Sequence, residues 1–189
     1  MPTNATARRI GLLAIIALCA APLVAAEDGE LTFPTVEELD KLPTGIKVVH
    51  EPDVVLATLS GKNTRRGKYT WWYKTTVTAT DADVTIEQFG AFVQVDGKWV
   101  NGGSFTGKPY NAEQFAEWYS CDKANIRKGK SAADPKNWST SDELAAAKMR
   151  WYFIGVDATG RRVKGEATVE IKAEIDPKHS KDAEPKDGE

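Results

Sequence analysis

One cysteine and one pair of glutamates are the residues whose types and spacing could support catalysis. Cys121 could act as a nucleophile, a metal ligand or one half of an intermolecular disulfide. A nucleophilic cysteine needs a histidine base, and His50 is the candidate, because His179 lies in a charged tail. Glu113 and Glu117 could perform acid–base chemistry on a sugar, although glutamates four residues apart also form an ordinary solvated helix face. We favour a buried apolar role for Cys121 and the solvated face for the glutamates.

Acidic and basic residues in predicted turns are the next candidates. Calcium requires several closely spaced oxygen ligands, and a phosphate loop requires glycines in a defined order. The acids are Asp81, Asp83, Asp134 and Asp157, and the bases are Lys62, Arg65, Arg66 and Lys68, around Gly61 and Gly67. Neither set has the required spacing, so the acids indicate turns and the bases a solvated loop. We therefore expect no catalytic residue, no metal site and no cofactor.

Three tryptophans are the candidate ligand- or partner-binding residues. Trp72 interrupts the polar face of a predicted strand, Trp99 follows a tight turn, and Trp138 lies in a predicted loop that contains a proline. Exposed indole rings can stack on sugars or anchor a protein partner. The alternative is that a second sheet or a covering loop of this chain buries them. For Trp72 we expect cover from a predicted helix that begins after Asn111.

The composition is that of a globular chain. The 189 residues are 41% hydrophobic and 28% charged, and the formal net charge is −2. The net charge gives no reason to expect a nucleic-acid partner. The 15 glycines, nine prolines and six tryptophans exclude collagen, coiled coil and wholesale disorder. Sixteen of the 17 aromatic residues lie between Tyr69 and Phe153, which predicts one dense core.

Residues 1–26 have the features of a secretory signal peptide. A pair of arginines at 8–9 precedes a nine-residue apolar run, Ile10–Leu18, and small residues follow at 24–26. We expect cleavage before Glu27 and a periplasmic or secreted mature protein without a membrane span. Lipid attachment at Cys19 is the alternative to a free mature form. The mature chain would keep one cysteine, so it could form no intramolecular disulfide.

Period-two alternation of apolar and polar residues predicts several strands. It is clearest in 162–175 and 69–79, and Asp157–Gly160 links the former to an apolar run at 151–156 as an antiparallel hairpin. The alternation in 84–95 changes phase near 87–89, which predicts a bulge. Residues 48–59 form a further candidate, with a bend or sheet edge at its proline.

Two helices are predicted from capping boxes, one after Asn111 with Gln114 and one over Ser141–Lys148 with Thr140 as its cap. A single helical turn after Thr35 is a third possibility. The chain is therefore expected to be all-β, an antiparallel immunoglobulin-like β-sandwich with one or two short helices in its connections. The expected divisions are a signal peptide (1–26), an irregular leader (27–45), the β-sandwich domain (46–175) and a disordered charged tail (176–189).

Three blocks of the sequence resemble the strand rhythm of bacterial secreted immunoglobulin-like domains. They are YTWWYKTTVTATDADVTI at 69–86, IRKGKS at 126–131 and WYFIGVDATGRRVKGEATVEI at 151–171. The paired cysteines and intervening tryptophan of antibody domains are missing. The resemblance implies adhesion, scaffolding or accessory roles, and it carries over no catalytic residue.

These observations predict an exported, non-enzymatic protein that binds or assembles with another protein of the cell envelope or exterior. The alternative is a carbohydrate-binding module that uses Trp72, Trp99 and Trp138. An enzyme that uses Glu113 or Glu117 is a third hypothesis.

Overall fold

The structure is a computed structural model that describes residues 31–60 and 67–178. The expected signal peptide, the basic residues at 62–66 and most of the expected tail lie outside this part of the chain. The helices are α1 (Val36–Lys41), α2 (Ala112–Trp118) and a short 3-10 helix (Asp122–Ala124). The strands are β1 (Ile46–Glu51), β2 (Val54–Leu59), β3 (Tyr69–Ala79), β4 (Val84–Val95), β5 (Lys98–Asn101), β6 (Tyr110–Asn111), β7 (Asn125–Ile126), β8 (Ser131–Ser141), β9 (Ala147–Asp157) and β10 (Arg162–Ile175).

The strands form one mixed sheet that curls into half a barrel, so the expected all-β class is confirmed. Its order is β1-β3-β2-β10-β9-β4-β5, while β8 pairs with β3, and β6 and β7 pair with β4. The sheet departs from the expected antiparallel arrangement where β2 pairs with β10 in parallel. This pairing arises because β2 turns between two partners. Val54 to Ala57 align with β10, and Thr58 and Leu59 align with β3.

Local sequence patterns account for the shape of the longer strands. The register of β4 against β9 shifts between Ile86 and Gln88, which confirms the predicted bulge. Asp96 and Gly97 have φ angles of 49° and 76°, and they turn β4 into β5 as a two-residue hairpin. The apolar run at 151–156 lies in β9, between β4 and β10, and is buried on both faces.

Two of the three predicted helical segments form, and the third is wrong. Capping boxes begin α1 at Thr35 and α2 at Asn111. The helix predicted over Ser141–Lys148 is absent, because Thr140 pairs with Thr70 in the sheet and its hydroxyl donates to the carbonyl of Tyr69. The cap residue is thereby committed to a strand. The loop predicted around Trp138 is also wrong, since these residues belong to β8 and its proline lies at a register shift.

The main core lies inside the curl of the sheet and is centred on Phe89. This ring stacks on Phe153 at 5.5 Å between centroids and meets Phe115 and Tyr119 of the α2 region edge-on. A smaller apolar cluster lies on the other face of β4 and β9, where Leu39 of α1 is fully buried. The segment before β1 therefore packs on the sheet as an ordered layer.

Four charged side chains fasten this layer to the sheet. Arg150 on β9 contacts Asp40 of α1 at 2.7 Å and Glu166 of β10 at 2.6 Å. Lys164, whose side chain is only 9% exposed, lies 3.3 Å from each of the same two carboxylates. The network places two cations between two anions, so each charge has a partner. Among the described residues, no helix is long and apolar enough to cross a membrane.

Candidate functional site

A cavity of about 800 Å³ opens between the two ends of the curled sheet. Strand β8 borders one side, strand β4 and the loop after β5 border the other, and β9 lies between them. Its walls are mainly aromatic and apolar. The lining residues are Trp71, Ala91, Val93, Gly102, Gly103, Ser104, Phe105, Tyr110, Trp118, Asp134, Asn137, Trp138, Ser139, Thr140, Ser141, Ala145, Ala147, Met149, Trp151 and Ile171.

The loop at residues 102–109, here called the lid loop, carries the most exposed aromatic ring among the large hydrophobic side chains of the described residues. Phe105 is 66% exposed although it lines the cavity. The loop has its own hydrogen bonds, since the hydroxyls of Ser104 and Thr106 both donate to the carbonyl of Lys108. Gly103 adopts a φ of +75°, a conformation that side-chain-bearing residues rarely adopt. The lid loop therefore presents Phe105 from a locally ordered turn.

Phe105 belongs to a cluster of four rings, here called the aromatic cluster, with Tyr110, Trp118 and Trp138. Its ring is parallel to that of Trp138, with 8° between the planes, and its centroid lies 5.3 Å from that of Tyr110 and 5.9 Å from that of Trp118. These rings come from the lid loop, β6, α2 and β8, so the fold assembles the cluster from distant parts of the chain. Such rings supply large apolar faces that can pack on a ligand.

Several polar groups in the walls are satisfied by one another. The amide of buried Asn137 donates to the hydroxyl of Thr75 at 2.8 Å, and its carbonyl accepts from the backbone N–H of Trp138 at 2.8 Å. The indole N–H of Trp151 donates to the hydroxyl of Tyr73 at 2.8 Å, and Ser139 donates to the sulfur of Met149 at 2.9 Å. Internal pairing of this kind leaves the walls suited to apolar contact.

Asp134 is the one charged residue in the lining within the part of the chain that the structure describes. It is half-buried on β8, opposite Thr75, and its carboxylate accepts a hydrogen bond from the backbone N–H of Lys136 at 2.9 Å. Burial raises the pKa of this carboxyl above its usual value, and the backbone hydrogen bond opposes that effect. Burial also raises the pKa of the Tyr119 hydroxyl, and the negative charge of Asp134 adds to that effect. The negative charge of Asp134 therefore influences the ionisation of a buried group in the protein interior.

The three predicted binding tryptophans do not form one row. Trp72 and Trp138 lie directly opposite each other on β3 and β8, and each is half-buried. Trp99 lies on β5, where it packs against the small cluster beneath α1 and lines a second cavity with Phe33. Of the three, only Trp138 lines the large cavity. Helix α2 packs on Phe89 of β4 in the core, and the expected cover of Trp72 by this helix stays a prediction.

The residues considered for catalysis are dispersed. The ring nitrogens of His50 contact Thr75 and the carbonyl of Ala167, so this histidine is not paired with a thiol. Cys121 is half-buried, its thiol lies 3.3 Å from the carbonyl of Asn125, and burial raises its pKa. Glu113 and Glu117 are exposed on α2 and lie outside the cavity lining.

The acidic residues in turns mostly accept hydrogen bonds from backbone N–H groups. Asp83 accepts from the backbone N–H of Lys128, and Asp157 accepts from Thr159 and Arg161. Within residues 31–60 and 67–178, no three histidine, cysteine or acidic side chains come together as a metal site would require.

Sequence reasoning missed the lid loop and most of the aromatic cluster. A signal was present, because Phe105 is a lone aromatic residue in a polar loop that contains Gly102, Gly103 and Gly107. A large apolar side chain in such a loop has no local core to join, which indicates a binding role. Tyr110 and Trp118 were expected only as core.

Comparisons with known proteins give no family for this chain. No family model matches it, and no curated protein matches it. One solved structure, the "Putative ApaA Protein" from Bordetella pertussis, is similar at 12% sequence identity and a TM-score of 0.38. That match covers 69% of this chain and 96% of the other.

Proposed function

We propose that this chain is an exported, non-enzymatic binding protein that holds a ring-bearing apolar ligand in the aromatic cavity. The observation that carries the proposal is the aromatic cluster, in which Phe105 remains mostly exposed beside a cavity of about 800 Å³. Cavities of several hundred Å³ with mostly apolar walls and few polar groups are typical of small-molecule sites. The signal-peptide features of residues 1–26 support export.

The arrangement favours binding over catalysis. A reaction needs a nucleophile or an acid–base pair within hydrogen-bonding distance of the substrate. Among the described residues, Asp134 is the one acid in the lining. His50 and Cys121 make their contacts elsewhere, and the α2 glutamates lie outside the lining. Aromatic faces and internally paired polar groups instead stabilise a bound apolar group by contact and by exclusion of water.

Assembly with another envelope protein is the second candidate, and the β4–β5 hairpin favours it. Val95 and Val100 are 50% and 43% exposed there, on the strand pair at one end of the sheet. An immunoglobulin-like ancestry would agree with such a role. The antiparallel β9–β10 hairpin supports such an ancestry, whereas the parallel pairing of β2 with β10 departs from an immunoglobulin-like sheet.

Binding of a carbohydrate would have to use the exposed face of Phe105 with Trp138.

Titration with N-phenyl-1-naphthylamine, an uncharged dye with a naphthyl and a phenyl group that fluoresces in apolar surroundings, tests the proposal. We expect saturable binding at one site. Ala145→Trp places a large side chain at an exposed lining position, and it should weaken binding by about tenfold or more. Ala146→Trp is the matched control, because this neighbouring exposed residue is not part of the lining.

Three results separate the candidate functions. Absence of saturable dye binding, or equal weakening by both tryptophan variants, would overturn the cavity proposal. Capture of a defined envelope protein that is lost on Val100→Asp, with dye binding intact, would favour assembly. Binding on a glycan array that is lost on Phe105→Ala, without dye binding, would favour the carbohydrate module.

A further inference from the structure

Resting on the proposed function, we propose that the ligand of the aromatic cavity is a small organic cation, an amine or quaternary ammonium with an apolar body. Faces of the aromatic cluster would surround the cationic group, and the carboxylate of Asp134 would neutralise it. The proposal names the charge of the ligand, which the cavity's apolar character alone does not give.

The first argument is the charge of the lining. Of the twenty described residues that line the cavity, one is charged, and it is negative. Asp134 forms no ion pair with any lysine, arginine or histidine of the described residues. A half-buried carboxylate without a cationic partner is costly, and a bound cation would offset that cost. An anionic ligand would increase it.

The second argument is the character of the rings. Six lining residues are aromatic, and four of them are tryptophan: Trp71, Trp118, Trp138 and Trp151. The face of an aromatic ring is electron-rich, tryptophan attracts a cation most strongly, and removal of water strengthens the attraction. A purely hydrocarbon ligand would be served equally well by leucine and isoleucine, and the described lining residues include only one such side chain, Ile171.

The third argument is that the aromatic cluster and the carboxylate are joined by the fold. Asp134 and Trp138 belong to the same strand, β8, and the chain between them bends at the register shift opposite Tyr73 and Thr75. Both residues line the same cavity. A ligand of modest size can therefore meet the rings and the acid together.

The test compares two ligands of the same shape. Benzyltrimethylammonium carries a positive charge, and neopentylbenzene replaces its nitrogen by carbon. We expect tryptophan-fluorescence titration to give binding about tenfold tighter for the cation, the scale of a partly desolvated cation–π contact with a nearby carboxylate. Phenylmethanesulfonate, an anion with a benzyl group, should bind more weakly than either.

Two variants locate the effect. Asp134→Asn keeps an oxygen for the N–H of Lys136 and should abolish most of the preference for the cation, while dye binding stays intact. Asp81→Asn is the matched control, since it removes an exposed turn acid outside the lining and should leave the preference unchanged. Trp138→Leu should weaken binding of the cation more than binding of the hydrocarbon.

The outcomes separate this inference from the proposed function. Equal affinity for the cation and the hydrocarbon, or an unchanged preference in Asp134→Asn, would overturn the cation proposal and leave the cavity as an apolar site. Dye binding without binding of either benzyl compound would have the same meaning. If neither the dye nor the benzyl compounds bind, the proposed function itself is wrong.

Discussion

The ring of Phe105 lies parallel to the indole of Trp138, with 8° between their planes and 6.4 Å between their centroids. Phe105 belongs to the lid loop and Trp138 to β8, so this contact connects the two sides of the cavity. Phe105 also contacts the rings of Tyr110 and Trp118, but two-thirds of its surface is exposed. Its role can therefore be tested with little effect on the fold.

Replacing Phe105 by alanine should separate binding from stability. Dye affinity should fall roughly three- to tenfold, because one aromatic contact face is lost. The free energy of unfolding should change by less than about 1 kcal/mol, as is usual for an exposed side chain. Phe105→Tyr keeps the ring and should retain the affinity. Fluorescence titration and urea unfolding measure the two effects, and a large loss of stability in Phe105→Ala would assign the ring to the core.

Trp138 and Trp99 should respond differently to the same substitution. Trp138→Leu should weaken dye binding, because Trp138 lines the large cavity. Trp99→Leu should leave binding unchanged and reduce the free energy of unfolding by about 1–2 kcal/mol, since Trp99 packs beside Phe92 and Leu39 under α1. Dye titration of both variants checks this prediction, and a loss of affinity in Trp99→Leu would contradict the assignment of these residues to separate sites.

Buried His50 should make the protein less stable in mild acid. Burial lowers the pKa of His50 from 6.5 to about 4. The unfolded chain therefore takes up a proton below pH 6.5, whereas the folded protein does so only near pH 4. Stability is fully present above pH 6.5 and should fall by about 3 kcal/mol as the pH decreases to 4.

Urea unfolding at pH 7, 6, 5 and 4 measures this loss. His50→Gln carries no titrating ring and should lack the decrease, so the difference between the two proteins isolates the histidine. Asp157 contributes at lower pH, because hydrogen bonds from the side chain of Thr159 and from Arg161, opposed by burial, lower its pKa to about 2. A parallel pH dependence in both proteins would show that the fold does not lower the pKa of His50.

The ion network between α1 and the sheet should contribute more than an exposed ion pair. Glu166→Leu leaves Arg150 and nearly buried Lys164 with one shared carboxylate, that of Asp40. We expect a loss of roughly 2–3 kcal/mol, somewhat below the usual cost of breaking a fully buried pair. Glu51→Gln breaks the exposed pair with Lys74 and should cost less than about 1 kcal/mol. Equal losses in the two variants would refute the structural role of the network.

Features fixed by neighbours in sequence could be predicted. The caps at Thr35 and Asn111, the bulge in β4 and the turn at Asp96 each depend on a few adjacent residues, and all appear in the structure. The second predicted helix does not form because its expected cap residue, Thr140, pairs with Thr70 of β3 in the sheet. A capping signal cannot reveal a partner strand seventy residues away.

The parallel pairing of β2 with β10 and the cavity could not be predicted in the same way. The strand pairing joins segments more than one hundred residues apart, such as Val55 with Ile171. The cavity depends on contacts between separate elements, such as Phe105 of the lid loop with Trp138 of β8. The sequence identified Trp138 as a binding candidate because of its type. The sequence could not show that Phe105, Tyr110 and Trp118 would pack beside Trp138. Alternation and capping patterns describe single elements and do not predict the contacts between elements.

Two of the edge strands of the half-barrel also bear on how the protein behaves when concentrated. Among the described residues, β5 and β8 each pair with a single strand, so each presents unpaired backbone groups along its outer side. Such edges can recruit further chains into aggregates. Strand β8 carries Pro135, which has no N–H to donate, followed by Lys136, and β5 is four residues long and begins with Lys98. These features oppose edge-to-edge addition of a second copy at β5 and β8, so the cavity can remain open in a crowded compartment without these two edges acting as templates for fibrils.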